Sequence, residues 1–297
     1  MLDYPSLAAV AAVIREGTFE RAAATLGMTP SAVSQRVRGL EDRMGSILIN
    51  RGQPCEATPL GRELCAHYDR VRLLEQDLSP VFAPASAPPT LAIAVNADSF
   101  ATWFHRAVAT FGQESRVSLD FKLDDEAHTA DRLRRGEVLA AVSADPKPVQ
   151  GCKTVALGAL RYVACASPDF VARYFSCGIH GEALAHAPCL RFDRRDGLQE
   201  NWARQAYQIE LNAPVHWVPS TDGFLNLTLA GFAWGMQPLS LVNAHLETGR
   251  LIELPPGLRL DVPLYWIVTR LHASMLQHLT RAVRTVAAQE LSPNIGR

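Results

Sequence analysis

Five polar side chains lie close together on a predicted helix near the amino terminus. They are Ser31, Ser34, Gln35 and Arg38 on one face, with Arg36 at its flank. Hydroxyl, amide and guanidinium groups donate hydrogen bonds to base edges and phosphates, and a helix carrying them fits the major groove of DNA. The alternative is an ordinary helical hairpin with a solvated polar face. The pattern therefore indicates a candidate DNA-reading helix.

The segment from Thr18 to Gly45 predicts the two short helices that would position these groups. Gly27 suits the end of the first helix, where φ must be positive. Thr29 followed by Pro30 is a strong start signal for the second helix. The inward face of this second helix is predicted from residues recurring at helical spacing, namely Val33, Val37, Leu40 and Met44.

A third helix and a hairpin are predicted on either side of the pair. Apolar residues mark one face of Tyr4–Glu16, and Ile47–Thr58 has the pattern of a strand, a turn and a return strand, forming a wing. Arg51 and Thr58 are predicted phosphate contacts, one through its charge and one through its hydroxyl. Glu56 stands at the wing tip, where a cation would bind phosphate better.

Residues 59–78 predict a long helix with one narrow apolar stripe. The stripe has heptad spacing and consists of Leu60, Leu64, His67, Val71, Leu74 and Leu78. Such a helix pairs with a copy of itself, or alternatively packs on its own domain. Ser79–Thr90 carries four prolines and is predicted to be an interdomain linker.

Composition limits the classes of function. The 297 residues carry a net charge of −1, and residues 1–80 contain nine Arg against ten Asp and Glu. DNA affinity must therefore come from a local patch. The six cysteines form no CxxC pair; we expect buried or scattered thiols, with a redox pair of Cys177 and Cys189 as the alternative. No signal peptide or membrane-spanning run is evident, so we expect a cytoplasmic protein.

The second part of the chain alternates strands and helices, which predicts a largely parallel sheet with helices on both faces. Leu91–Val95, Val117–Leu123 and Val138–Ser143 are the first strands, and Phe100–Phe111 is a helix between two of them. A further set of strands and helices follows from Leu160. The last elements are a strand at Pro263–Val268 and a closing helix at Ser274–Leu291.

Polar residues follow several of these strands. Helix amino termini at strand ends attract anionic groups, whereas carboxylates accept from cations. The candidate ligand-binding residues are Asn96, Asp98, Ser99, Asp124, Asp125, Glu126, Ser220 and Thr221. Each hydroxyl residue could instead be a plain helix cap, and the acidic run a solvated turn. Together they fit a zwitterion with an additional cation, such as lysine or arginine.

The amino-terminal pattern resembles that of LysR-type transcriptional regulators. The shared features are AA, SAVSQRV, LE and MG-x-x-L, then Arg51 and Thr58-Pro-x-Gly61. The segments VNADSFATW, DDEAHTADRLRRGEVLAAVS and LGALRYVACASPDFVARYF resemble the subgroup that senses lysine and arginine and activates a basic amino acid exporter. The chain departs from the family at Ile49, where an aromatic residue is usual, and the resemblance weakens around Asp193–Asn212.

The resemblance implies a multidomain protein with an all-α winged helix-turn-helix and a two-lobed α/β periplasmic-binding-protein-like effector domain. The predicted divisions are 1–58, 59–78, 79–90 and 91–297, with lobe I at 91–160 and 268–297 and lobe II at 161–267. The implied partners are promoter DNA, a second copy through the linker helix, a homotetramer, and RNA polymerase. No metal, cofactor or membrane is expected.

Other functions remain as alternatives. A different small effector, or redox control, would leave the regulatory role intact. A solute-binding protein without a regulatory role has the same second half but does not explain the helix pair. No G-x-S-x-G, H-E-x-x-H or phosphate-loop motif occurs, so we expect no enzymatic activity.

Overall fold

The computed structural model describes residues 2–78, 90–115, 117–123, 132–271 and 274–293, apart from the side chains of 76–78 and 274. The predicted linker lies outside the described residues, except for Thr90. None of the described helices is long and apolar enough to cross a membrane.

The amino-terminal unit consists of three helices and a small hairpin, followed by a long helix. Their bounds are α1 Tyr4–Glu16, α2 Phe19–Leu26, α3 Pro30–Met44, β1 Ile49–Asn50, β2 Glu56–Ala57 and α4 Pro59–Leu78. The two strands are antiparallel, with Ile49 opposite Ala57, and form the predicted wing.

Local capping explains where the helix pair begins and ends. The Thr18 hydroxyl accepts from the Arg21 amide, and the Thr29 hydroxyl accepts from the Ala32 amide at 3.3 Å. Gly27 ends α2 at φ 64°, a conformation that favours glycine. The inward face of α3 is confirmed at Val33, Val37 and Leu40, which are buried. The prediction for Met44 is wrong, because the last turn of α3 extends past the core and leaves this side chain 36% exposed.

The stripe predicted on α4 is divided between different environments. Leu64 is buried in the core of the helix-turn-helix unit, and Leu60 packs against that core. Leu74, which we placed on the dimer stripe, is exposed. Its neighbour Leu73, off the stripe, is only 1% exposed and belongs to the core of the second domain. The alternative of a helix packed on its own domain therefore holds for the first part of α4, at Leu60 and Leu64.

The second domain begins with β3 and a helix containing a π-helical segment. The first elements are β3 Thr90–Val95; α5, made of Ala97–Ser99, Phe100–Phe104 and His105–Glu114; β4 Ser118–Leu123; β5 Ala140–Ser143; and β6 Cys152–Ala166. Then come α6 Pro168–Tyr174, α7 Gly181–His186, β7 Cys189–Arg191, α8 Leu198–Tyr207, β8 Val215–Trp217 and α9 Thr221–Leu229. The last are β9 Gly235–Pro238, α10 Leu239–Glu247, β10 Ile252–Glu253, β11 Arg259–Thr269 and α11 Ser274–Glu290. A further helical turn occupies 132–135.

The sheet is mixed, which corrects the expectation of a largely parallel one. Strand β3 is parallel to β4 and β5, as predicted. Strand β11, however, runs antiparallel to β5 and along most of β6, from Arg259 opposite Val163 to Thr269 opposite Cys152. The seven strands are ordered β10-β6-β11-β5-β3-β4, and β9 also pairs with β6.

The long β6–β11 pair connects two groups of elements. At one end lie β3, β5, α5 and α11, packed around Trp103, Phe104 and Trp266. At the other end lie the parallel pair β7–β8, strand β9 and helices α8 to α10. Because β6 and β11 are the two strands that run from one group to the other, this pair suits a hinge between lobes. Our predicted lobe boundaries remain a prediction.

Candidate nucleic-acid interface and ligand cavity

The outer face of α3 carries the predicted DNA-reading residues. Ser31, Gln35, Arg36 and Arg38 are exposed and Ser34 is half-buried. The residues between them on the helix, Val33, Val37 and Leu40, pack α3 against α1 and α2. The structure thus brings these five groups together on a single rigid element.

Arg51 lies just after β1, at the base of the wing. Its guanidinium carbon is 5.4 Å from the centre of the Phe19 ring, and its Nη2 is 3.9 Å from Glu41 Oε2. The other oxygen of Glu41 accepts from the Leu48 amide at 2.8 Å. These contacts tie Arg51 to α2 and α3 while leaving its side chain half exposed, a position compatible with a phosphate contact.

The phosphate contact of Thr58 stays a prediction, and its hydroxyl already has partners within the protein. Its hydroxyl donates to the Ile47 carbonyl at 2.9 Å and accepts from the Gly61 amide at 3.1 Å, so it caps α4. A hydroxyl has one hydrogen, and here the protein uses it. This argues against the predicted phosphate contact, because a phosphate oxygen needs a donor.

A cavity of about 370 Å³ lies between the two groups of elements in the second domain. It is bordered by the end of β3, the middle of β6, the loop between β7 and α8, the start of α9, and β9. Its polar lining consists of Asn96, Asp98, Tyr162, Asp193, Arg195, Asp196, Asn201, Thr221 and Gln237. Phe192, Leu198, Phe224, Met236 and Val262 supply apolar walls. The size and mixed lining are typical of a small-molecule site.

Asp98 is the central charged group of this cavity. Its carboxylate accepts from the Tyr162 hydroxyl at 2.8 Å and from the Thr221 hydroxyl at 2.9 Å. Burial raises the pKa of the Asp98 carboxyl, the two hydrogen bonds oppose the rise, and the charge of Asp196 adds to it. A cation entering the cavity would favour the ionised carboxylate and reverse this shift.

The other predicted ligand residues separate into three groups. Asn96 and Thr221 line the cavity with Asp98, as expected. Ser99 is fully buried and outside the lining, and Ser220 caps α9 by accepting from the Gly223 amide, so neither borders the cavity. Asp124, Asp125 and Glu126 lie outside the described residues.

The loop between β7 and α8 was missed in the sequence. Asp193 accepts from the Arg195 amide at 2.7 Å, and Asp196 accepts from the amides of Phe192 and Leu198 at 2.8 and 3.1 Å. These carboxylates fold the loop and cap α8 beside the cavity. The signal was Asp193-Arg-Arg-Asp-Gly197, whose Asp and Gly residues are typical of side-chain-stabilised turns.

The cysteines do not support a redox site in the described part of the chain. All six are free thiols; Cys177 is exposed, whereas Cys189 is buried. Burial, with the charge of Glu200 nearby, raises the pKa of the Cys189 thiol to about 12. This thiol stays protonated and therefore unreactive. No group of three or more His, Cys, Asp or Glu in the described residues could hold a metal ion.

A winged helix-turn-helix joined through a long helix to a two-lobed α/β domain with a polar cavity defines a DNA-binding regulator controlled by a small molecule. Residues 5–62 match the family model for bacterial regulatory helix-turn-helix proteins of the lysR family, and residues 85–291 match that for the LysR substrate binding domain. The chain therefore belongs to the LysR family of transcriptional regulators. These regulators are not enzymes, and they bind a small-molecule effector rather than a cofactor.

Individual relatives agree over nearly the whole chain. The HTH-type transcriptional regulator ArgP of Pseudomonas aeruginosa is 44% identical over 94% of this chain and 95% of its own. The crystal structure of ArgP from Mycobacterium tuberculosis superposes with a TM-score of 0.80, 39% identity, and coverage of 99% of this chain and 100% of that one. Full-length LysG from Corynebacterium glutamicum, solved with arginine as bound effector, gives a TM-score of 0.70, 34% identity and coverage of 98% and 100%.

Proposed function

We propose that this regulator senses lysine or arginine in the cavity around Asp98. The observation that carries the proposal is a buried carboxylate with a raised pKa, held by Tyr162 and Thr221 at the cavity wall. A buried carboxylate is stabilised by a cationic partner. The structure of LysG with bound arginine, a relative covered almost completely, supports the same effector class.

The remaining lining fits the other groups of a basic amino acid. Asp193 and Asp196 add negative charge on the opposite wall, and Asn96 Oδ1 is buried without a partner among the described residues. These are acceptors for the α-ammonium or the side-chain cation. The amino terminus of α9 borders the cavity at Thr221, and its positive dipole end suits the α-carboxylate.

The DNA-binding proposal assigns base contacts to Ser31, Ser34, Gln35, Arg36 and Arg38, and a phosphate contact to Arg51. The attraction to DNA phosphates must come from local positive charge, since the molecule as a whole carries a net charge of −1. Two such helices in a symmetric dimer would double the contact surface and read two half-sites. The proposed assembly is a dimer through α4, or a tetramer.

The proposed output is activation of a gene for an exporter of basic amino acids, in the cytoplasm and with RNA polymerase as a further partner. The support is the resemblance of the effector-domain motifs to the lysine- and arginine-responsive subgroup. Effector binding acts only through its different affinity for the two arrangements of the lobes. Footprint length on the promoter, with and without arginine, tests this coupling.

Calorimetric titration of the full chain tests the effector. Arginine and lysine should bind, whereas citrulline should not, because it matches arginine in shape but has a neutral ureido group in place of the guanidinium. Equal affinity for citrulline and arginine would contradict recognition by carboxylates. Absence of binding to both lysine and arginine would reject the effector class.

A further inference from the structure

A second cavity lies on the far side of the same domain, away from Asp98. It is open to solvent, has a volume of about 1070 Å³, and is formed by the start of β6, the end of β11 and one face of α11. Its lining consists of Lys153, Val268, Thr269, Arg270, Leu271, Leu276, Gln277, Thr280, Arg281, Arg284 and Thr285. None of these residues appears in the wall of the first cavity.

Four of the lining residues are cationic and none is acidic. Lys153, Arg270, Arg281 and Arg284 are all exposed, and none forms an ion pair within the described part of the chain. Some other arginines of the domain do have carboxylate partners; Arg161, for example, forms a paired contact with Asp261 at 2.7 and 2.8 Å. The cavity therefore concentrates unneutralised positive charge in a molecule that is slightly acidic overall.

Between the cations lies an apolar and hydroxyl-bearing surface. Val268, Leu271 and Leu276 are partly or fully buried and supply the apolar part. Thr269 Oγ1 is buried and has no hydrogen-bond partner among the described residues. The Thr280 hydroxyl accepts from Trp266 Nε1 at 3.0 Å, which fixes its position on α11.

We propose that this second cavity binds a phosphorylated organic anion with an aromatic body, such as a nucleoside diphosphate. Arg281 and Arg284 are three residues apart on α11, so both guanidinium groups project from one side of the helix. The planar guanidinium binds phosphate through two parallel hydrogen bonds. Val268, Leu271 and Leu276 supply the apolar surface against which a ring would pack. The positive charge of this cavity distinguishes it from the first cavity, where the carboxylate of Asp98 is the proposed binding group.

The test is calorimetric titration of the full chain with ADP, with adenosine as the matched ligand that lacks phosphate. ADP should bind saturably and adenosine should not. The double variant Arg281→Glu/Arg284→Glu should lower ADP affinity at least about tenfold, since it removes and reverses both phosphate contacts. The control Arg173→Glu/Arg204→Glu changes the same charge at exposed positions away from the cavity. It should leave ADP affinity unchanged.

Other outcomes overturn the proposal. Saturable ADP binding that is lost in Arg38→Glu but kept in the α11 double variant would locate the anion on the DNA-reading helix. Equal losses in the α11 and control variants would mean general charge attraction, and no saturable binding of ADP to the unchanged chain would reject the site. Melting temperatures of all variants, compared with the unchanged chain, show whether each variant has folded.

Discussion

The Thr221 hydroxyl donates to the Asp98 carboxylate at 2.9 Å and so joins two residues that are 123 positions apart in the chain. Asp98 lies at the start of α5, in the group of elements around β3, whereas Thr221 begins α9 in the other group. A ligand held by Asp98 therefore acts on a hydrogen bond that connects the two groups. This places the proposed effector site at the junction whose geometry an effector must change.

Replacing Asp98 with Asn should weaken arginine binding and stabilise the free protein. A hydrogen bond to a charged group contributes about 1.5–3 kcal/mol, so we expect a roughly tenfold to hundredfold loss of affinity. Without ligand, the neutral amide avoids the cost of burying a carboxylate. Calorimetry measures the affinity and urea unfolding the stability. A variant that binds arginine normally would place the effector elsewhere.

The raised pKa of Asp98 predicts opposite pH trends for binding and for stability. The folded-state pKa lies above the unfolded value, so the stabilising contribution is complete below the unfolded pKa and is lost as pH rises through the folded pKa. Arginine binding requires the carboxylate, so affinity should increase over the same interval. The pH dependence of the unfolding free energy and that of arginine affinity are measured on the unchanged chain and on Asp98→Asn. Identical slopes in the two proteins would assign them to another group.

Gln35→Ala and Arg38→Ala should each lower affinity for the specific promoter by about 1–3 kcal/mol, because each removes a contact to a base edge. Gel-shift titrations against promoter and unrelated DNA measure the loss of specificity. Arg43→Ala is the control: it lies in the last turn of the same helix and pairs with Asp3 at 3.0 Å. Unchanged binding by both test variants would mean that the reading face is misassigned.

Gly61 is required where α4 passes the wing. A Cβ at this position would lie 2.1 Å from the Leu48 carbonyl oxygen, a backbone atom that cannot move freely. Gly61→Ala should therefore destabilise the amino-terminal unit by about 1–3 kcal/mol. Gly39→Ala is the matched control, since nothing lies within 4 Å of its added Cβ. It should stabilise helix α3 by up to about 1 kcal/mol. Thermal unfolding compares the two.

The adjacent residues Leu73 and Leu74 separate two roles of α4. Leu73→Ala should destabilise the second domain by about 2–5 kcal/mol, because it empties a buried position in that domain's core. Leu74 is 38% exposed, so Leu74→Ala should weaken dimerisation instead and have little effect on unfolding of the separate chain. Sedimentation measures dimerisation and urea titration the stability. If Leu74→Ala dimerises with the same affinity as the unchanged chain, the predicted heptad stripe is wrong.

Much of this protein is determined by signals that are local in the sequence. The caps at Thr18 and Thr29 and the glycine at position 27 define α2 and α3 through hydrogen bonds within four residues. The start of α4 follows from Thr58-Pro59 in the same way. Helical periodicity similarly indicates which side chains of α3 face outward. The candidate DNA-reading face is therefore predictable from the sequence alone, because it needs only short-range information.

Tertiary structure decided the features that depend on distant partners. The antiparallel pairing of β6 with β11 joins residues about a hundred positions apart, and no local pattern distinguishes it from a parallel crossover. The same holds for the cavity, where Asp98 meets Thr221, while Ser99 turns into the core and the loop containing Asp193 and Asp196 forms the opposite wall. Residue type indicated possible chemistry at these positions; only the packing of the two groups of strands determined which side chains face a common space.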